Sequence, residues 1–179
     1  MRRVVLMILA AIILVSCGTS GKVAQKPVKT HVQPGTELLG APNVLRAWAV
    51  GISDSEMTAK KKAMATASAE LARMLNSAVT TTIDDYCVQL SEGEVATSKE
   101  FLSQKTNIVS TQMLKGIRTV FDQWEPADSK GMYKNYVVVE LSGEEFVKKL
   151  IETLDKEQGQ NINKELLNEL FIKTINSNK

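Results

Sequence analysis

Histidine is the scarcest chemical resource of this chain: His31 stands alone in 179 residues. A relay built on two imidazoles, or a histidine-rich metal cluster, is therefore excluded. Cysteine is nearly as scarce, with Cys17 and Cys87 only. Cys87 has no histidine partner in the folded part, so a cysteine hydrolase lacks support. The glycines are scattered and form no phosphate loop or dinucleotide fingerprint. Carboxylate catalysis needs a pair that meets in three dimensions, and no pair here has motif context. The chain is expected not to be an enzyme and to need no cofactor or metal. Charge of one sign is lacking too. The formal net charge is +2, and removal of Arg2 and Arg3 would leave 20 basic against 20 acidic residues. No field remains to draw in nucleic acid. Long apolar runs are also missing. The longest, Val4 to Val15, has 12 residues, short of the roughly 20 that span a bilayer.

What that run does have is its flanks. Met1-Arg2-Arg3 precedes it, and Leu14-Val15-Ser16-Cys17 ends it. A positive start, an apolar middle and a small residue at the cut form a secretory signal. The cysteine just after the cut resembles the lipobox of bacterial lipoproteins. The resemblance implies cleavage between Ser16 and Cys17, and acyl chains such as palmitate on the Cys17 thiol. Two or more chains anchor stably where one does not. Gly18 stands where an aspartate would favour the inner membrane, so the resemblance implies a lipid anchor in the bacterial outer membrane. With Cys17 modified, Cys87 would be left without an internal disulfide partner. A small buried side chain is the expectation for it.

Residues 1–16 are thus read as signal peptide and 17–42 as a lipidated tether. The tether holds Gly18, Gly21, Gly35, Gly40, Pro27, Pro34 and Pro42, with few large apolar residues. Its typical reach is about 25–30 Å. His31 lies in it and is a poor candidate for catalysis or metal binding.

A domain is expected over 43–158. Val44–Ile52 reads as a strand, with Val44, Arg46, Trp48 and Val50 on one face and Leu45, Ala47, Ala49 and Ile52 towards the other. Gly51 signals a bulge or a close approach. Ser53 or Asp54 starts a helix that runs to about Asn76, with Glu56 in capping-box register. Its alanines, Ala59, Ala63, Ala65, Ala67, Ala69 and Ala72, let it lie close to a sheet. Lys60, Lys61 and Lys62 read as a solvated face. Ser77–Leu90, rich in threonine, reads as a second strand. Asp84 and Asp85 would then point to opposite faces and could not share an ion. After a turn at Ser91–Glu94, a weakly striped helix is expected over Val95–Met113. Leu114–Trp124 and Met132–Leu141 form a hairpin, in which Ile117, Thr119 and Phe121 alternate with Arg118, Val120, Asp122 and Trp124. Ser142, with Glu145 three later, caps a helix striped by Phe146, Leu150, Ile151 and Leu154. After a break near Gly159, residues 159–179 carry a last helix from Ile162 to about Asn176. Its stripe is Ile162, Leu166, Leu167, Leu170, Phe171 and Ile175, and it must be covered by the domain or by a partner.

The expected fold is α+β. An antiparallel sheet of about four strands runs in β-α-β-(α)-β-β-α order, with helices on one face and an extra C-terminal helix. Ala49-Val50-Gly51-Ile52-Ser53-Asp54-Ser55, the alanine-rich helix after it, and Trp124 through Val137-Val138-Val139-Glu140-Leu141 carry a further likeness. Over Val44–Leu150 the chain resembles the twenty-kilodalton bacterial outer-membrane lipoprotein family. That family shares its core with the N-terminal domain of flagellar T-type ring proteins. The resemblance implies a non-catalytic structural or protein-interaction module of the cell envelope, with an envelope protein or a second copy as partner. The alternative is a carrier of a small apolar ligand, in a pocket lined by Met57, Met64, Leu71 and Trp48.

Overall fold

The computed structural model describes residues 33–90, 95–125, 128–156 and 162–177. The described residues open with a single turn of helix, α1 (Thr36–Leu39), and strand β1 (Val44–Ser53). β1 alternates cleanly: Leu45, Ala47, Ala49, Gly51 and Ser53 are buried, while Trp48, Val50 and Ile52 are exposed. Ile52 therefore joins the outer face and not the inner one. The period of two carries through Gly51, so there is no bulge; Gly51 pairs in register with Asn135. The close approach is real. A Cβ on Gly51 would lie 1.8 Å from the Ala59 carbonyl oxygen and 2.6 Å from the Ala63 nitrogen.

Those alanines belong to α2 (Glu56–Cys87), a helix of 32 residues, about 48 Å long. Ala59, Ala63 and Ala67 recur every four residues and are fully buried, which seats the helix on β1. Ser55 occupies the N-cap position, and the Ser53 hydroxyl accepts from the Ser55 N–H at 3.4 Å in the preceding turn. The expected second strand, Ser77–Leu90, does not exist: residues 77–87 continue α2. The reason is period. Leu71, Leu75, Ala78, Val79, Thr82, Ile83 and Tyr86 are buried at steps of three and four. Neither glycine nor proline interrupts the chain between Ile52 and Gly93. Thr80 meets its hydrogen-bonding need inside the helix, donating to the Asn76 carbonyl at 2.9 Å.

Helix α3 (Val95–Leu114) then packs on α2 through Leu102, Thr106 and Val109. Strands β2 (Arg118–Glu125) and β3 (Tyr133–Ser142) form the expected hairpin, starting four residues later than anticipated at β2. Among the described residues three strands, not about four, make the sheet, all antiparallel, in the order β1-β3-β2. A register shift between Thr119 and Phe121 changes the faces of β2. Thr119, Asp122 and Trp124 align with the inner residues of β3. Arg118 and Phe121 align with its outer ones.

Helix α4 (Gly143–Leu154) starts as its sequence indicates, with the Ser142 hydroxyl accepting from the Glu145 N–H at 3.2 Å. Helix α5 (Lys164–Ser177) turns its stripe inward: Leu167, Leu170, Phe171 and Ile175 are buried, and Phe171 stacks on Phe146 at 4.8 Å between ring centres. The Tyr86 hydroxyl accepts from the Asn163 N–H at 2.9 Å, joining the end of α2 to the start of α5. Asn43, at φ 56°, receives the Gly143 N–H on its carbonyl and hydrogen-bonds Asn176 and Glu144 through its side chain. Val32–Lys179 is one compact unit, so the last helix is part of the domain core.

Candidate functional site

The helices cover the inner face of the sheet; on the outer face the central strand β3 keeps Tyr136, Val138 and Glu140 buried, and the exposed apolar side chains lie on the edge strand β1. Trp48, Val50 and Ile52 on β1 are 42%, 38% and 44% exposed. Val138 on β3 aligns with Trp48 on one side and Phe121 on the other, and Tyr136 aligns with Val50. Val138 and Tyr136 are themselves buried, so the exposed apolar surface of this face is a strip confined to β1.

Charge frames both ends of the strip. At one end Glu140, almost wholly buried, lies between two arginines. Its Oε2 accepts from Arg46 Nε at 2.7 Å, and its Oε1 accepts from Arg118 at 2.6 Å. Arg46 also donates to the Leu38 carbonyl, which ties α1 to β1. Arg118 is largely exposed and keeps donors free for solvent. At the other end the Tyr136 hydroxyl donates to Glu125 at 2.9 Å, and Lys134 pairs with the same carboxylate at 3.4 Å. Burial, followed by the Glu125 carboxylate, pushes the Tyr136 hydroxyl above its ordinary value. Lys134 and the Gln33 side chain act in the opposite direction and pull it down.

The inner face has its own polar knot. Lys60 on α2 pairs with Asp122, and fully buried Asn135 donates to Asp122 at 2.7 Å and to the Gln123 carbonyl at 3.2 Å. Burial raises Asp122, but the hydrogen bonds from Asn135 and Lys60 outweigh it and hold the carboxyl below its ordinary value. Lys62 donates to the Ile52 carbonyl at 3.2 Å. Two of the three consecutive lysines thus fasten α2 to the sheet while staying exposed at the surface. Their run gave no sign of those partners, which lie 62 residues away for Lys60.

Cys87 is buried at the end of α2, as its residue type suggests, but on a helix. Burial pushes its thiol up; nearby Lys99 pulls it down and Asp84 adds to the rise. Asp84 and Asp85 are both exposed on the helix, and Asp84 pairs with Lys99 at 2.7 Å. Among the described residues no three His, Cys, Asp or Glu side chains gather to hold a metal. The four residues expected to line a carrier pocket are scattered. Trp48 is on the outer face, Leu71 is sealed under the inner face, Met57 is 68% exposed, and Met64 lies near the Thr119 hydroxyl. Open clefts lie elsewhere among the described residues, two of them as follows. One, about 350 Å³, is beside α1 and is lined by Leu39, Val44, Arg46, Met74 and Ile175. The other, about 250 Å³, is between α2 and α3 and is lined by Asn76, Thr80, Lys99 and Asn107.

Ser16, Cys17 and His31 lie outside the described residues, as do 17–32 of the expected tether, the 91–94 turn and Gly159. No helix among the described residues is long and apolar enough to cross a membrane. No family model, no curated protein and no solved structure matches the chain.

Proposed function

We propose that this chain is a lipid-anchored protein of the bacterial outer membrane, related to the twenty-kilodalton lipoproteins, whose domain is a non-catalytic structural or interaction module. The address rests on Leu14-Val15-Ser16-Cys17 after a 12-residue apolar run. The observation that carries the module reading is the sidedness of the sheet. One face is filled by α2, α4 and α5; on the other, Tyr136 and Val138 of the central strand are buried and the edge strand β1 exposes Trp48, Val50 and Ile52. A domain that keeps three large apolar side chains on one strand has a use for that surface. Its strongest ionic groups serve structure: Glu140 pins β1 to β2 across β3, and Asp122 holds α2 to the sheet. The carrier alternative loses the pocket that defined it. A partner of the module, another envelope protein or a second copy, is part of the proposal, and no cofactor is needed.

Replacing Cys17 by Ser tests the address. The variant should accumulate as precursor or leave the membrane fraction on cell fractionation. Undiminished membrane partition of the variant, with no acyl group on Cys17 of the parent, sinks the proposal.

A further inference from the structure

We propose that the free edge of β1 pairs with β1 of a second copy, antiparallel about a twofold axis at Trp48, so that two domains share one six-stranded sheet. This deepens the module reading and rests on it for the choice of partner. The first observation is which main-chain groups are open. β1 is an edge strand in the order β1-β3-β2. The Gly143 N–H donates to the Asn43 carbonyl at 2.9 Å. Antiparallel pairing alternates, so the odd-numbered residues of β1 turn their N–H and C=O groups to β3. The even-numbered ones turn theirs to the free edge. There the Ile52 carbonyl accepts from Lys62, and at the far end Arg46 holds the Leu38 carbonyl of α1. Between these two fastenings the main-chain groups of Arg46, Trp48 and Val50 have no partner on the free edge among the described residues.

The second observation is protection. Open edges invite pairing, and proteins blunt the ones they do not use with bulges, charges, proline or a cover. The β2 edge is blunted by its register shift between Thr119 and Phe121 and by Arg118, Asp122 and Glu125. β1 runs for ten residues without bulge or proline. Two clefts beside it, about 350 and 290 Å³ and both lined by Leu45 and Met74, leave its helix side open at that end. The third observation selects a second copy. The three open rungs are symmetric about Trp48. A twofold axis there sets Trp48 opposite the partner's Trp48 and Val50 opposite the partner's Arg46, so every open N–H and C=O meets its complement. The exposed indoles then face each other across the seam, and Val50 packs on an arginine stem. Identical surfaces repel where they bring like charges together. Arg46 is the sole ionisable residue of β1, and Glu140 neutralises it. Two chains anchored on one membrane also meet at a raised effective concentration, which a soluble partner lacks.

Disulfide trapping in whole cells tests this register. The two Cα atoms of a hydrogen-bonded rung lie about 5.5 Å apart, within disulfide reach. In this register the Val50 Cα atoms of the two copies are about 14–15 Å apart, beyond it. The full chain carrying Trp48→Cys, oxidised with copper phenanthroline, should give a linked dimer in which both joined peptides hold position 48. Val50→Cys should give at least about tenfold less. Val50→Pro removes a free-edge N–H and leaves the bonds to β3 whole, as an edge strand tolerates. Added to Trp48→Cys it should cut the yield at least about tenfold, with the circular dichroism of the purified protein unchanged. A link at position 48 in a chain whose Cys17 carries no acyl group upholds the pairing and removes the anchor. No link at position 48, equal links at both positions, or a link that survives Val50→Pro overturns the proposal. A link from position 48 to another protein overturns it in favour of a foreign strand.

Discussion

Single residues set the tolerances of this domain. Gly51 is the tightest. Its pairing with Asn135 is ordinary strand, so backbone freedom is not why glycine stands there. The reason is the Ala59 carbonyl oxygen, 1.8 Å from any Cβ. Gly51→Ala should therefore cost about 2–3 kcal/mol through forced separation of α2 from β1, read from urea unfolding. Glu140 is the second sensitive position. Glu140→Gln leaves the largely buried Arg46 without its anion and should cost about 3 kcal/mol. Arg118→Gln, at an exposed site, should cost about 1 kcal/mol or less. Asp122 gives the pH dependence its sign. Its folded value is lowered, so its contribution is fully present above the unfolded value near 3.8 and is lost as pH falls through the folded value. Urea midpoints should fall as pH drops from about 5 to 3, and Asp122→Asn should make that slope shallower. The close approach at Gly51 was legible as a glycine inside a strand pattern; the roles of Glu140 and Asp122 were not. Arg46 and Glu140 are 94 residues apart, and only the strand register brings them together.

Elements were legible where period and cap agreed. β1 showed its alternation, α4 its Ser142–Glu145 cap, and the hairpin its valine-rich return strand. The alanine spacing of α2 foretold a close seat on the sheet. The failure at 77–87 is instructive. Thr80, Thr81 and Thr82 carry strand propensity, which is a weak preference, whereas the stripe from Leu71 to Tyr86 is continuous at helical spacing. Alternation can be found in almost any mixed stretch; a shared stripe across two segments is the stronger signal. Thr81→Ala separates the two structures. Thr81 is exposed on α2, so alanine should raise stability by about 0.5 kcal/mol in thermal or urea unfolding; a strand site would be destabilised instead. The bulge between Thr119 and Phe121 was invisible because nothing in the β2 sequence marks it, and it moved Phe121 to the outer face. For α5 the stripe was plain and its destination was not. Phe171, stacked on Phe146, now assigns it to the core. Phe171→Ala should cost about 3–5 kcal/mol, the mark of a core ring and not of a docking surface.

At the scale of the molecule, sequence and structure speak to different ends of the chain. The proposed address lies in residues 1–17, read by processing enzymes as sequence, and needs no fold. The sidedness of the domain lies in the sheet and emerges only when three strands align Trp48, Val138 and Phe121. The account turns on the anchor, and intact mass spectrometry of the protein extracted from membranes tests it most directly. The account predicts an N-terminus at Cys17 carrying acyl chains. A chain that begins at Met1, or one that begins at Cys17 with an unmodified thiol, would contradict it.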